Sequence, residues 1–291
     1  MINKNPVLKP YLKWAGGKRQ ILPEIRKHLP QDYQNRVYHE PFVGAGALLF
    51  DLQPKKAVIN DTNSDLILTY RAIKDHIEEL ICLLKEHQRQ NSKEYYYGIR
   101  ALDREENYKT FSPVEKAARL IYLNRICYNG LYRVNAQGYF NVPYGRYKNP
   151  HVCEEDLLRS CHQYLNSADI VILNTDFEEA VSKAENNSFV YFDPPYHSSA
   201  KTGFNAYQAG GFDEAAQTRL RNVFLMLTKR RIPCLLSNAD TPFIRDLYDD
   251  SAFQIITVTA RRLINSDQSG RGFVNELLIK NQGVSQPFIM L

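Results

Sequence analysis

The chain has 291 residues, 44% of them hydrophobic, with a formal net charge of +5; that is ample apolar content for a buried core and too little charge to name a partner by itself. Five scattered cysteines, Cys82, Cys127, Cys153, Cys161 and Cys234, match neither a disulfide framework nor a zinc knuckle, and His151, Cys153, Cys161 and His162 fit no metal-ligand spacing. No stretch approaches the roughly 20 apolar residues of a membrane span, so the expectation is a cytoplasmic protein with no membrane, no metal and no obligate protein partner.

The first distinctive segment is Lys13-Trp14-Ala15-Gly16-Gly17-Lys18, which sets the only tryptophan beside two glycines and two lysines. It is not a phosphate loop, because a Walker motif needs glycine where Leu12 stands and Ser or Thr where Arg19 stands. A lysine and an aromatic ring beside glycines suit a ligand carrying both a carboxylate and a sulfonium cation. A strand at 37–42 follows and runs into Glu40-Pro41-Phe42-Val43-Gly44-Ala45-Gly46, whose Gly-x-Gly turn lets the backbone approach a bound ligand. A second strand at 57–59 leads to Asp61, where nucleoside-binding α/β folds place a carboxylate that accepts both ribose hydroxyls. Capping of a helix that begins near Ser64 is the alternative for this residue.

From 64 to 163 the strand signal disappears. Leu66, Ile67, Tyr70, Ile73, Ile77, Leu80, Ile81 and Leu84 keep helical spacing, as does 114–126, which predicts a mainly helical domain at 64–163 inserted into a discontinuous domain made of 1–63 and 164–291. Residues 116–153 hold six basic side chains (Lys116, Arg119, Arg125, Arg133, Arg146, Lys148), six tyrosines (Tyr122, Tyr128, Tyr132, Tyr139, Tyr144, Tyr147) and no acid. Such a stretch suits a surface lying against phosphates and bases; a solvated basic face over packed tyrosines is the alternative.

Strands resume at 170–173, 189–192 and 234–237, with a helical pattern at 215–228, and strands at 254–259 and 274–279 have only the polar 265–272 between them. Strand alternating with helix implies a Rossmann-like, mostly parallel sheet covered on both faces, and the last two strands an antiparallel hairpin at its edge. The basic cluster 229–231 reads as a solvated helix end, and Arg261-Arg262, ahead of the polar 266–271 loop, as a contact to phosphate.

Asp193-Pro194-Pro195-Tyr196 closes the 189–192 strand, at the carboxyl end of the sheet where α/β proteins bind ligands. The run can be a tight turn and nothing more. It can also grip a planar amine: the Asp193 carboxylate and the Pro194 carbonyl supply two acceptors that draw an amine nitrogen out of conjugation, both proline rings stiffen the turn, and Tyr196 offers a flat face to a ring.

The order Trp14-Ala15-Gly16-Gly17-Lys18, Phe42-Val43-Gly44-Ala45-Gly46 and Asp193-Pro194-Pro195-Tyr196 resembles the Dam-type DNA adenine-N6 methyltransferases through nearly the whole chain. The resemblance extends over Tyr128-Asn129-Gly130-Leu131-Tyr132-Arg133 and Asn141-Val142-Pro143-Tyr144-Gly145-Arg146-Tyr147. It implies an enzyme that moves a methyl group from S-adenosylmethionine to the N6 amine of an adenine flipped out of double-stranded DNA, within GATC, by direct transfer. It further implies that Trp14, Ala15, Gly16, Lys18, Pro41, Phe42, Gly44, Gly46, Asp61, Asp176, Phe177 and Asp193 hold the cofactor, and that Asp193 to Tyr196 form the catalytic turn. Lys13, Tyr128, Asn129, Leu131, Arg133, Pro143, Arg146 and Tyr147 are then the DNA contacts, with Arg133 reading guanine and Leu131 and Pro143 meeting thymine. Another planar amine, in RNA or on a protein glutamine, and a DNA-binding relative without activity are the competing readings.

Overall fold

The computed structural model describes residues 8–14, 18–198, 212–261 and 273–282. Seven strands form one sheet: β1 (Val37–Glu40), β2 (Lys56–Asn60), β3 (Asp169–Leu173), β4 (Ser188–Phe192), β5 (Cys234–Ala239), β6 (Phe253–Arg261) and β7 (Phe273–Asn281). Their spatial order is β3-β2-β1-β4-β5-β7-β6. The first five are parallel, while β7 runs antiparallel to both β5 and β6. The Rossmann-like sheet with a C-terminal antiparallel hairpin is therefore as expected. From β1 the chain steps outward to β2 and β3, then returns to place β4 on the other flank of β1. Ligands of open α/β sheets bind at such a reversal of strand order, beyond the carboxyl ends of the two strands.

The helices are α1 (Leu22–Lys27), α2 (Ala47–Leu52), α3 (Ser64–Asp75), α4 (Ile77–Gln90), α5 (Lys93–Ala101), α6 (Pro113–Ile126), α7 (Glu155–Ser167), α8 (Phe177–Val181), α9 (Glu214–Lys229) and α10 (Pro242–Leu247). Local chemistry sets several of their starts. Ser112 accepts from the Glu115 amide while the Glu115 carboxylate accepts from the Ser112 amide, a capping box with Pro113 in the first turn of α6. Asn63, Ser92, Asp213 and Thr241 cap α3, α5, α9 and α10 in the same sense. None of the helices among the described residues is long and apolar enough to cross a membrane.

Period-two alternation sorts the strand residues between two cores. On one face Tyr38, Ile59, Phe189, Tyr191 and Leu278 pack with buried residues of α2, α3, α4, α6 and α7. On the other, Val190, Phe192, Leu236, Leu277 and Ile279 pack with Phe177, Phe224 and Ile244. The first cluster is continuous from the sheet into the helices of 64–163.

Most element ends shift by one or two residues from the sequence reading, and two differences have a clear physical cause. The first strand ends at Glu40, not 42, because Pro41 has no N–H to continue the ladder and the chain turns there. The single apolar stripe from 66 to 84 is two helices, broken at His76, whose backbone leaves the helical region at φ −135° and ψ 43°. Gly46 is obligatory on steric grounds. Gly46 has φ +74°, and a Cβ there would lie 2.7 Å from the Tyr70 hydroxyl and 3.0 Å from the Phe50 ring. Gly46→Ala is therefore expected to lower stability by about 2–4 kcal/mol, left-handed strain plus overpacking, read as a fall in the urea midpoint at unchanged m-value.

Candidate active site

The turn after β1 and the turn after β4 face each other at the strand-order reversal. In the first, Gly44 adopts φ +50° with the Trp14 ring against its α-carbon, so that a Cβ would sit 3.1 Å from Trp14 Cδ1. The Gly44 amide donates to Asp61 Oδ2 at 3.1 Å and the Asn63 amide to Asp61 Oδ1 at 2.9 Å. Helix α3 is capped by Asn63, not by Asp61, which instead ties the end of β2 to the glycine turn. Burial pushes the Asp61 carboxyl up, and the two amides offset part of that rise. Beneath it, fully buried Asn60 donates to the carbonyls of Pro41 and Thr175, both at 3.0 Å, and accepts from the Thr175 amide at 2.8 Å. One side chain thus fixes the loops after β1 and β3.

Glu40, the last residue of β1, is buried, and its Oε2 has no hydrogen-bond partner among the described residues. Burial pushes its carboxyl well above the usual carboxylate range, and the neighbouring Asp193 and Asp61 charges push in the same direction. A buried acceptor without a donor is costly in a ligand-free protein.

In the second turn, the Asp193 carboxylate accepts an ion pair from Lys18 Nζ at 2.9 Å and a hydrogen bond from Ser237 Oγ at 3.0 Å, both on Oδ1. Burial raises its pKa, while Lys18 and Ser237 pull it back and the Glu276 charge adds to the rise. Lys18 Nζ also stands 4.2 Å from the centre of the Tyr196 ring. The Tyr196 hydroxyl donates to Glu276 Oε2 at 2.7 Å. Pro194 is buried, and the Pro195 carbonyl accepts from Gln217 Nε2 at 2.9 Å, with Asn238 donating to Gln217 Oε1 at 3.0 Å behind it. Both ends of the turn are held by β5, β7 and α9.

Phe42 stacks on Phe177, ring centres 5.3 Å apart and planes 30° apart, beside Phe212. Asp176 caps α8 through the Glu178 amide at 3.0 Å and pairs with Arg219, whose guanidinium covers the Phe177 ring at 4.4 Å. These side chains form an aromatic shelf at the ends of β1 and β3. Ala15 and Gly16, with Gly17 between them and Lys18, lie outside the described residues, as do Arg262 and the 266–271 loop.

The expected DNA contacts gather on an irregular segment after α6, organised by Asn124. This buried amide accepts from the Lys13 backbone N–H at 2.9 Å and donates to the carbonyls of Lys13 at 2.8 Å and Gly130 at 3.0 Å. Lys13 Nζ reaches the Tyr147 hydroxyl at 3.3 Å and lies 4.4 Å from the centre of that ring. Trp14 stacks on Tyr132 at 5.2 Å, so one short segment touches the glycine turn on one side and the 128–133 loop on the other. Tyr128 is 50% exposed, and Asn129 beside it has φ +56°. The 140–144 strip is carried by α5 and the turn after it: Tyr96 donates to the Val142 carbonyl at 2.8 Å, Asp103 accepts from the Phe140 amide at 2.8 Å, and Pro143 and Arg146 are exposed. Arg133 is half-buried, giving Nε to Asn141 Oδ1 at 2.6 Å and Nη2 to its carbonyl at 3.3 Å.

The basic stretch is only partly a surface. Arg119 is buried, bonded to the Ile99 and Arg100 carbonyls and 2.9 Å from Asp103, and Arg125 pairs with Glu154 at 2.6 Å. Their acidic partners lie just outside 116–153, so the acid-free run overstated the charge it presents. Of the 229–231 cluster, all three residues are exposed and Arg230 reaches back to the Ala184 carbonyl. Sequence reading missed Glu40 as a buried acid, Asn60 and Asn124 as loop anchors, and Tyr191, Ser237 and Glu276 behind the Asp193 to Tyr196 turn. Each sits inside a strand or helix pattern, where polarity alone carries no signal. Among the described residues no group of three or more His, Cys, Asp or Glu could hold a metal ion.

A family model described as D12 class N6 adenine-specific DNA methyltransferase matches residues 14–264. A type II methyltransferase of Lactococcus lactis subsp. cremoris is 46% identical over 285 residues, which span 97% of this chain and 99% of that protein. The DNA adenine methylases of Serratia marcescens and Escherichia coli (strain K12) are 38% and 36% identical, over 92% and 95% of this chain and 96% and 97% of theirs.

Proposed function

The chain belongs to the D12 class of N6 adenine-specific DNA methyltransferases, and on that premise we propose that it transfers a methyl group from S-adenosylmethionine to an adenine turned out of double-stranded DNA within GATC. The observation that carries this reading is the Asp193 turn: a carboxylate with one oxygen already held by Lys18 and Ser237, beside a ring fixed by Glu276, at the strand-order reversal.

The site fits the cofactor on two counts. The Trp14 ring lies against Gly44, so the segment proposed for the cofactor's amino-acid end sits beside the glycine turn, and the unpartnered buried Glu40 Oε2 can take a donor such as an ammonium group. S-adenosylmethionine, when bound, supplies a methyl group activated on a sulfonium. Asp61 would accept the ribose hydroxyls, the half-buried Phe42 of the stacked Phe42–Phe177 pair would border its adenine, and Trp14 and Lys18 would hold its amino-acid end.

Asp193 and the Pro194 carbonyl accept the two N6 hydrogens of the target adenine. That favours a pyramidal nitrogen whose lone pair can take the methyl group. The nitrogen then carries one proton too many, and the Asp193 carboxylate, its pKa raised by burial, is the acceptor at hand. Tyr196 supports the face of the base, exposed Tyr128 stands where the adenine left the stack, and Lys13, Leu131, Arg133, Pro143, Arg146 and Tyr147 line the DNA side. The helical segment 64–163 serves as the target-recognition domain.

Incubation with labelled S-adenosylmethionine and matched duplexes carrying GATC, GTAC or N6-methylated GATC tests the proposal. Label in the first duplex alone is expected; equal label in all three would remove the GATC assignment, and label in none, with cofactor binding demonstrated, would remove the catalytic one. Arg133→Ala is expected to cut the preference for GATC over a site with guanine replaced by roughly 10- to 100-fold, the value of a bidentate guanine contact. Cofactor affinity should stay within about twofold in isothermal titration, because the hydrogen bonds of Arg133 go to Asn141 and not to the glycine turn.

A further inference from the structure

We propose that Ser237 on β5 and Glu276 on β7 are positioning residues for methyl transfer, Ser237 setting the Asp193 carboxylate and Glu276 setting the Tyr196 ring, an inference that rests on the reading of Asp193 to Tyr196 as the transfer site.

An ionised carboxylate only accepts hydrogen bonds, so the Ser237 hydroxyl must give its one hydrogen to Asp193 Oδ1. The Ser237 oxygen must then accept from the Tyr191 hydroxyl, 2.9 Å away, and a directed chain runs from Tyr191 through Ser237 to Asp193. Ser237 and Tyr191 are both fully buried. With Lys18 on the same oxygen, Oδ1 is saturated by two donors in fixed directions, and Oδ2 is the oxygen left to meet an incoming amine. The two carboxylate oxygens are thereby made unlike, and the carboxyl plane is set before the base arrives.

At the other end of the turn, the Tyr196 hydroxyl is drawn to Glu276. Glu276 stands in register with Val258 of β6 on one side and with Ala239, the last paired residue of β5, on the other. Its backbone therefore moves little, and the hydroxyl bond converts a ring that could rotate about two torsions into one at a fixed height. Strand β7 lies between β5 and β6. That insertion brings an acid from the end of the chain to a turn 80 residues earlier.

Glu276→Ala and Ser237→Ala are each expected to lower kcat about tenfold, the scale of one hydrogen bond to a charged group, with KM for the methyl donor unchanged within about twofold. Glu276→Gln and Ser237→Thr, which keep an acceptor and a donor, should recover most of the loss. In a double-mutant cycle, Glu276→Ala made in the Tyr196→Phe background should cost less than about twofold more, because its partner is already gone. An equal cost in both backgrounds, no cost in either, or no recovery by the conservative variants would each overturn the proposal. Thermal unfolding of every variant separates loss of fold from loss of position. Asp193→Ala and Tyr196→Ala measured alongside keep the premise separate: if those two turn over normally the transfer-site reading fails, and if they are impaired while the Glu276 and Ser237 variants are not, only the positioning roles fail.

Discussion

Asp193→Ala is expected to lower kcat by about a thousandfold or more, the loss seen when a preorganised electrostatic group is removed from a reacting centre, while the KM for the methyl donor rises far less. The substitution removes the acceptor proposed for the amine hydrogens and leaves the Lys18 ammonium, 6% exposed, without the carboxylate that neutralises it. Asp193→Asn keeps an acceptor oxygen but no charge, and should lie between, about a hundredfold below the parent. The parent enzyme should also show an acidic limb in its kcat profile. In the proposed scheme transfer needs the ionised carboxylate, and burial raises the Asp193 pKa, so activity is full at high pH and lost as pH falls through a value above that of an ordinary aspartate. The groups facing Asp193 are Lys18, Ser237, Tyr191, Tyr196, Glu40 and Glu276. Lys18 and Ser237 lower that midpoint and Glu276 raises it, so Ser237→Ala should move the limb to higher pH. Measuring single-turnover rates from pH 4 to 9 checks both claims; a flat profile, or an Asp193→Ala enzyme that turns over at the parental rate, would exclude the carboxylate from the chemistry.

Much of this architecture is written in local patterns. A strand buried on both faces reads as an unbroken apolar run, and Phe189 to Phe192 carries that signal before the Asp-Pro-Pro-Tyr turn, so the turn's place at a sheet end was legible. The Gly-x-Gly turn was legible for a similar reason, since only glycine tolerates φ +74° under the Tyr70 hydroxyl. Partnership between distant residues was not. Ser237 sits inside β5 and Glu276 among Asn275 and Leu277, and both look like ordinary strand positions until β7 is known to lie against β5. Charge in the 116–153 stretch was overcounted for the same cause. Arg119 and Arg125 count as surface cations in a window of sequence, yet Asp103 and Glu154 come from outside that window to neutralise them. Periodicity could not find the break at His76 either, because α3 and α4 keep their apolar stripes in phase across it.

Asp61 is the second position where a single change should have a large effect, and there the loss should fall on binding. Its carboxylate has two duties. Toward the protein it receives the amides of Gly44 and Asn63, which set the glycine turn against the start of α3. Toward a ligand its remaining lone pairs are the acceptors proposed for a ribose diol, and each oxygen of a carboxylate has room for more than one donor. Asp61→Ala removes both, leaving two half-buried amides without an acceptor, and should weaken S-adenosylmethionine binding about a hundredfold or more, the sum of two hydrogen bonds to a charged group. Asp61→Asn separates the duties: its one carbonyl oxygen can keep a single amide, while its NH2 group opposes the other, so affinity should fall nearly as far although the fold survives. At saturating donor the kcat of Asp61→Asn should stay within about tenfold of the parent, since Asp61 touches none of the reacting atoms in this scheme. Equilibrium titration of the cofactor together with kcat at saturation distinguishes the cases. A variant that binds S-adenosylmethionine with parental affinity would show that Asp61 serves the turn alone, and one that loses kcat without losing affinity would place it in the chemistry.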